Sequence, residues 1–174
     1  MLEFKVLNSS TKNLEDFSLP LANLLMGAVQ GGASMGYLAS DPISFMENFW
    51  LGILENVRSG KAKIVCAEED RILVGVVVLS FESNPNAKHR AEVRKLIVDA
   101  QKRGQGIAKK LLGLLEMEGR MSGKSLLVLD TETHSEADSL YQNLGWTQLG
   151  ILPRHAASPN GELKDTTYYY KQLD

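Results

Sequence analysis

The chain has 174 residues, 44% hydrophobic and 23% charged, which supplies a sizeable core for a single domain spanning 1–174 and excludes intrinsic disorder. Its 19 basic and 21 acidic residues leave a formal charge of −2, which argues against a globally basic nucleic-acid binder. The lone Cys66 excludes a disulfide framework or multi-cysteine zinc site, and His89, His134 and His155 lack metal-ligand spacing, so no metal is expected.

Residues 3–8 alternate polar and apolar, as a first strand does, and Glu3, Glu15 and Asp16 are out of place in a secretory signal. From Asn13 to Val29 apolar residues recur at helical spacing, with Pro20 kinking or restarting the helix. Glycines break the pattern in the loop 30–41. Asp41-Pro42 then reads as a helix start, Asp at the cap and Pro at the first position, with Phe45, Phe49, Ile53 and Val57 on one face. Segments 61–69 and 71–82 form a hairpin around Glu69-Asp70. The longest apolar run, 72–79, is eight residues, far short of the ~20 needed to span a membrane. A soluble, cytoplasmic protein without membrane contact is expected.

Next come a strand at 89–99, a glycine-containing turn leading into a long amphipathic helix at 100–123, and an apolar central strand at 125–131. A helix at 135–144 closes at Gly145. Strands 146–153 and 164–173 end the chain, joined by the loop 154–163. The order predicts an α/β domain with a mixed sheet, in which 89–131 is a right-handed parallel crossover.

The segment from Gln101 to Ala108 carries the most specific chemistry. Glycines between a strand and a helix start allow close backbone approach, and free N–H groups at the positive end of a helix form an anion site. Lys102, Arg103, Lys109 and Lys110 add positive charge, with no acid between Gln101 and Leu115. The pattern suits a pyrophosphate. It lacks the Gly-Lys-Ser/Thr of a Walker loop and the spacing of a dinucleotide fingerprint. A helix start with solvated cations is the bland alternative for a bare Gly-x-Gly.

Gln101, Gly104 and Gly106, together with VRKLIVDAQKRGQGIA and SLYQNLGW, resemble the GNAT superfamily of acetyl-CoA-dependent N-acetyltransferases. More narrowly, GGASMGY (31–37), RAEVRKLIV (90–98), LDTE (129–132) and the tail 159–173 resemble the tabtoxin-resistance-like acetyltransferases. The resemblance implies the GNAT fold, a mostly antiparallel seven-stranded sheet with a splayed parallel pair, and acetyl-CoA as cosubstrate. It implies that the backbone of Leu96, Ile97 and Val98 pairs with the pantetheine arm. The turn Arg103, Gly104, Gln105, Gly106, Ile107 and Ala108 would hold the pyrophosphate, with Lys109 near a phosphate. Ser34 and Tyr37 are candidate acceptor contacts, in a loop that otherwise reads as a plain connector. Gln30 stands where a relative carries His.

An alkylammonium titrates near 10.4, so its deprotonation at neutral pH costs roughly 4 kcal/mol and a base assists. Glu92 and Asp130 are the base candidates, Glu92 slightly preferred and Asp130 alternatively positioning the amine. Ion pairing of Glu92 with Arg90 or Arg94, and a solvated strand end at Asp130, are the structural alternatives. Tyr141 matches the family's general acid, or else a core-edge tyrosine. Cys66 reads as core. His134 and His155 read as loop residues, and Trp146 and Tyr168-Tyr169-Tyr170 as packing or a dimer surface.

The leading function is direct acetyl transfer to the primary amine of a small molecule, in an antibiotic- or toxin-resistance setting or a metabolic one, by a monomer or homodimer. A protein N-terminal or lysine acetyltransferase and a non-catalytic CoA-binding module are the alternatives.

Overall fold

The structure is a computed structural model that describes residues 1–173, so Asp174, the last residue of the expected domain, lies outside it. In chain order the elements are β1 (Leu2–Leu7), α1 (Ser18–Gln30), α2 (Ile43–Arg58), β2 (Ala62–Glu69), β3 (Ile72–Phe81), β4 (Arg90–Val98), α3 (Ile107–Met121), β5 (Leu126–Glu132), α4 (Glu136–Asn143), β6 (Thr147–Ala157) and β7 (Leu163–Gln172). The strands form one sheet in the order β1-β2-β3-β4-β5-β7-β6, antiparallel except for β4 beside β5.

The apolar runs of β2 and β3 are buried on both faces because helices cover both. Ile64, Cys66, Val76 and Val78 pack under α1 and α2, whereas Val65, Ala67, Val77 and Leu79 pack under α3. Successive strand residues point to opposite faces, so a continuous hydrophobic segment serves both layers. Gly75 lets α3 lie close: a Cβ there would meet Ile107 and Leu111 side-chain carbons at 3.1 Å.

Several local expectations shift. Pro20 produces a restart: a 3-10 turn at Leu14–Phe17 precedes α1, and Pro20 is its third residue, where an N–H has no intrahelical acceptor. Pro42, not Asp41, caps α2, and Asp41 instead accepts a hydrogen bond from the Leu38 N–H at 2.8 Å. The core face of α2 is Met46, Trp50, Ile53, Leu54 and Val57, while Phe45 is 55% exposed. The β2–β3 turn is centred on Asp70-Arg71, both with positive φ (51° and 69°), as a type I′ hairpin requires.

The expected loop 154–163 is mostly strand. β6 continues through Pro153 to Ala157, with an irregular register between Leu152 and Ala156. An edge strand tolerates Pro at such a bulge because one side of its ladder is unpaired. The remaining hairpin at 158–162 is pinned by the Ser158 N–H donating to the Glu162 carbonyl at 2.9 Å. Trp146 and Tyr169 are core residues, 5% and 2% exposed.

Candidate active site

β4 and β5 pair only from Arg90 to Glu92 against Leu126 to Val128. Beyond that, β5 stays with β7 while β4 stays with β3. The strands therefore splay, and the β5-facing edge of Leu96, Ile97 and Val98 has no strand partner.

A β-bulge helps. Val78 faces Arg94 and Val76 faces Ile97, so Lys95 and Leu96 together oppose Val77. Lys95 takes the left-handed conformation (φ 54°), and a bulge bends its strand. The Lys95 side chain turns under the loop 31–41, where its Nζ donates to the Met35 carbonyl at 2.5 Å and lies 4.9 Å from the Phe49 ring centre. Burial, with Arg94 adding to it, brings its ammonium down to about 8.

The splay opens into a cavity of about 340 Å³, within the size range of ligand sites. Its walls are the end of α1 and the loop after it (Ala28, Gly31 to Met35), the β4 edge (Leu96 to Val98), Arg103 and Ala108, and the end of β5 with the start of α4.

At its mouth lies the anion turn. Gly104 and Gly106 have φ of 75° and 76°, and a Cβ on either would meet no described atom within 4 Å. The helical ladder begins with the Lys110 N–H donating to the Gly106 carbonyl at 3.1 Å. No backbone N–H from Arg103 to Lys109 donates to a described acceptor. Such a row at the start of a helix, next to residues in the left-handed region, is an anion-binding nest.

The side-chain cations contribute less than their density in the sequence indicates. Lys102 is paired with Glu69, Lys110 lies 4.7 Å from the Phe4 ring centre, and Arg103 lines the cavity with its Nη1 3.6 Å from Glu136. Ile107 is 2% exposed and presents only its backbone N–H.

Of the expected site residues, Leu96, Ile97, Val98, Arg103, Ala108 and Ser34 line the cavity, whereas Glu92, Asp130, Tyr141 and Tyr37 do not. Glu92 pairs in register with Val128, and strand alternation sets Asp130 on that same face, opposite Tyr168 of β7. Both carboxylates are exposed; Glu92 lies 4.0 Å from Arg94, at the limit of an ion pair. Their charges reach the Tyr168 hydroxyl, whose proton is held more tightly by burial first and by Asp130 and Glu92 in addition.

Tyr141 lies on the opposite side of the sheet, 5% exposed, with Trp146 and Tyr169 rings at 5.6 and 5.9 Å. Burial, then Asp130, raises its phenol above the ordinary value, so it is protonated at neutral pH. Its hydroxyl makes no hydrogen bond among the described residues. Tyr37 stacks edge-on to Phe49 behind the cavity wall.

Sequence reasoning passed over three features. Lys95 ties the β4 bulge to the loop 31–41. His155 contacts Thr166 Oγ1 at 3.1 Å and the Tyr168 hydroxyl at 3.4 Å. Glu132 lines the cavity, and its Oε2 is buried without a hydrogen-bond partner. The signal for Glu132 was the alternation that placed Asp130, carried one step further. Cys66 is fully buried and its thiol is pushed up to about 12, so it offers no thiolate nucleophile. No described helix is long and apolar enough to cross a membrane.

The comparisons agree with this geometry. N-acetyltransferase 8F1 of Rattus norvegicus is 34% identical over 86 residues, covering 48% of this chain and 39% of the rat protein. The chain thus spans about two fifths of the length of the curated relatives it matches. Among solved structures, yncA of Salmonella typhimurium, solved with its cofactor acetyl-CoA, superposes with a TM-score of 0.79 at 19% identity, over 100% of this chain and 95% of that one. An N-acetyltransferase from Staphylococcus aureus Mu50 gives 0.80 at 21% identity, over 100% and 99%. The acetyltransferase (GNAT) domain model matches residues 60–148, just over half of the chain. A splayed β4–β5 pair with an open row of N–H groups, inside a matched segment of that extent, places this chain in the GNAT acetyltransferase family.

Proposed function

We propose that this chain is an N-acetyltransferase that moves the acetyl group of acetyl-CoA directly onto the primary amine of a small molecule. The observation that carries the reading is the unsatisfied N–H row from Arg103 to Lys109 at the mouth of the β4–β5 slot. A diphosphate fits that row, and the free edge of Leu96 to Val98 offers strand-like hydrogen bonds to the amides of a pantetheine arm. When bound, acetyl-CoA supplies an acyl thioester in the slot, as the yncA structure supports by its bound cofactor.

The chain's own groups then move protons. Glu92 or Asp130 takes a proton from the acceptor ammonium, directly or through a water. The neutral nitrogen attacks the thioester carbonyl, a C–N bond forms and the C–S bond breaks. Tyr141, protonated at neutral pH, is the proposed donor to the leaving thiolate. Buried Cys66 leaves direct transfer as the simpler route over an acyl-enzyme.

A small acceptor is favoured because the site is roofed. The Ala39 N–H donates to the Pro159 carbonyl at 2.9 Å, tying the loop 31–41 to the β6–β7 hairpin across the path an extended peptide would take. The segments shared with tabtoxin-resistance-like enzymes support an antibiotic or toxin amine as the substrate.

Acetyl-CoA at saturation is expected to raise the Tm, since it binds only the native state; an unchanged Tm overturns the reading. Release of CoA thiol across a panel of amino acids, polyamines, aminoglycosides and peptides sorts the alternatives. Transfer to peptides alone makes it a protein acetyltransferase, and binding without transfer to any amine makes it a CoA-binding module.

A further inference from the structure

A second cavity, also about 340 Å³, lies beside the first and shares Gly32 and Glu132 with it. Its other walls come from the end of α1 (Val29, Gln30), from Ala39, and from the β6–β7 hairpin with the start of β7 (Ser158 to Asn160, Glu162, Lys164). It therefore lies under the tie between Ala39 and Pro159.

The charged residues lining it are Glu132, Glu162 and Lys164. Lys164 Nζ is 2.9 Å from Glu162, so that pair is internally neutral. Glu132 has no such partner. It makes no ion pair or hydrogen bond among the described residues, and its Oε2 is buried. A buried carboxylate oxygen without a donor is costly, and native proteins keep few of them. Such a group at the partition of two cavities lowers the cost once a cation or N–H donor enters from either side. The first cavity is where the thioester is proposed to lie, so the cation must come from the second.

We infer that the second cavity is the acceptor pocket, and that Glu132 receives the ammonium of a cationic primary amine at the partition, directing its nitrogen toward the thioester slot. This rests on the acetyl-transfer reading of the first cavity. The net charge of the lining, one carboxylate in excess, selects cationic over anionic acceptors.

The test compares the wild-type protein with Glu132→Gln, which keeps the shape and removes the charge. Thermal melts are run with methylammonium, ethanolammonium, spermidine and L-alaninamide, with tetramethylammonium as the ionic-strength control. At least one primary ammonium is expected to raise the wild-type Tm and to leave Glu132→Gln unmoved. For the amine that gives the fastest CoA release, KM rises about ten- to hundred-fold in the variant, the range of a charge-assisted hydrogen bond, while acetyl-CoA affinity is unchanged. Without ligand the variant melts at or above the wild-type temperature, because nothing in the fold uses the charge. Equal shifts in both proteins, no shift in either, or a variant that fails to fold overturns the inference. Loss of acetyl-CoA binding in the wild type instead overturns the acetyl-transfer reading and leaves the ammonium result standing.

Discussion

The two ends of the proposed reaction are built differently. The diphosphate end is a run of backbone N–H groups from Arg103 to Lys109, contiguous in sequence and held open by two left-handed glycines. The acceptor end gathers Gln30, Ala39, Glu132, Pro159 and Lys164 from four stretches of chain. The family model matches residues 60–148, which contains the first construction whole. Of the second it contains Glu132, but neither the α1–α2 loop nor the β6–β7 hairpin. A backbone site constrains glycines and a helix start, so it is recognisable across divergent chains. A side-chain pocket leaves each of its contributing loops free to change with the substrate.

The comparison breaks most visibly at Gly104. A Cβ there meets no described atom, so within the protein Gly104→Val costs the strain of a left-handed β-branched residue, at least about 1–2 kcal/mol. Its effect on acetyl-CoA is expected to be far larger, because the side chain occupies the approach to the N–H row: binding measured by calorimetry should be abolished. Near-normal affinity would place the diphosphate elsewhere.

Next in size is Tyr141→Phe. The hydroxyl has no hydrogen-bond partner among the described residues, so its removal is expected to leave the denaturation midpoint nearly unchanged. Turnover should fall about 100-fold, the lower range for a general acid, with acetyl-CoA affinity intact. Full turnover would make Tyr141 a member of the aromatic core and nothing more.

Arg103→Ala sharpens the contrast from the other side. Arg103 lines the cavity but is 43% exposed and shared with Glu136. Acetyl-CoA affinity should drop only several-fold, with the difference shrinking as salt is added. A loss matching that of Gly104→Val would mean that side-chain charge, not the backbone, carries the site.

What the sequence made legible follows the same division. The anion turn, the crossover from β4 through α3 to β5 and the element order were readable because each depends on local periodicity and glycine placement. The Lys95 bulge was not: RKLIV reads as uninterrupted strand, and the irregularity exists only in the register against β3. The 154–163 loop was misjudged because Pro153 and Arg154 look like turn residues, whereas on an edge strand they are a bulge. Glu92 and Asp130 were found by strand alternation, which gives a face but not a cavity. Glu132 became visible only when two loops distant in sequence closed over it.

Lys95 links the two constructions, and its effect is the smallest and the most diagnostic. Its ammonium is brought from 10.5 to about 8 chiefly by burial, while the same group holds the Met35 carbonyl in the wall of the first cavity. The unfolded chain therefore binds more protons at this residue than the folded one between about pH 8 and 10.5. Stability contributed by this group rises with pH across that window, because the penalty for burying the charge is relieved as the folded-state ammonium deprotonates. Lys95→Met removes the titration and keeps much of the apolar stem. In urea denaturation, the wild-type unfolding free energy minus that of the variant should increase from pH 8 to 10.5 and be flat below pH 7. A flat difference throughout would mean the ammonium is solvated, and with it that the loop 31–41 is not held against the β4 bulge. If the difference rises as expected, the bulge that opens the slot and the loop that roofs the acceptor are joined through one side chain.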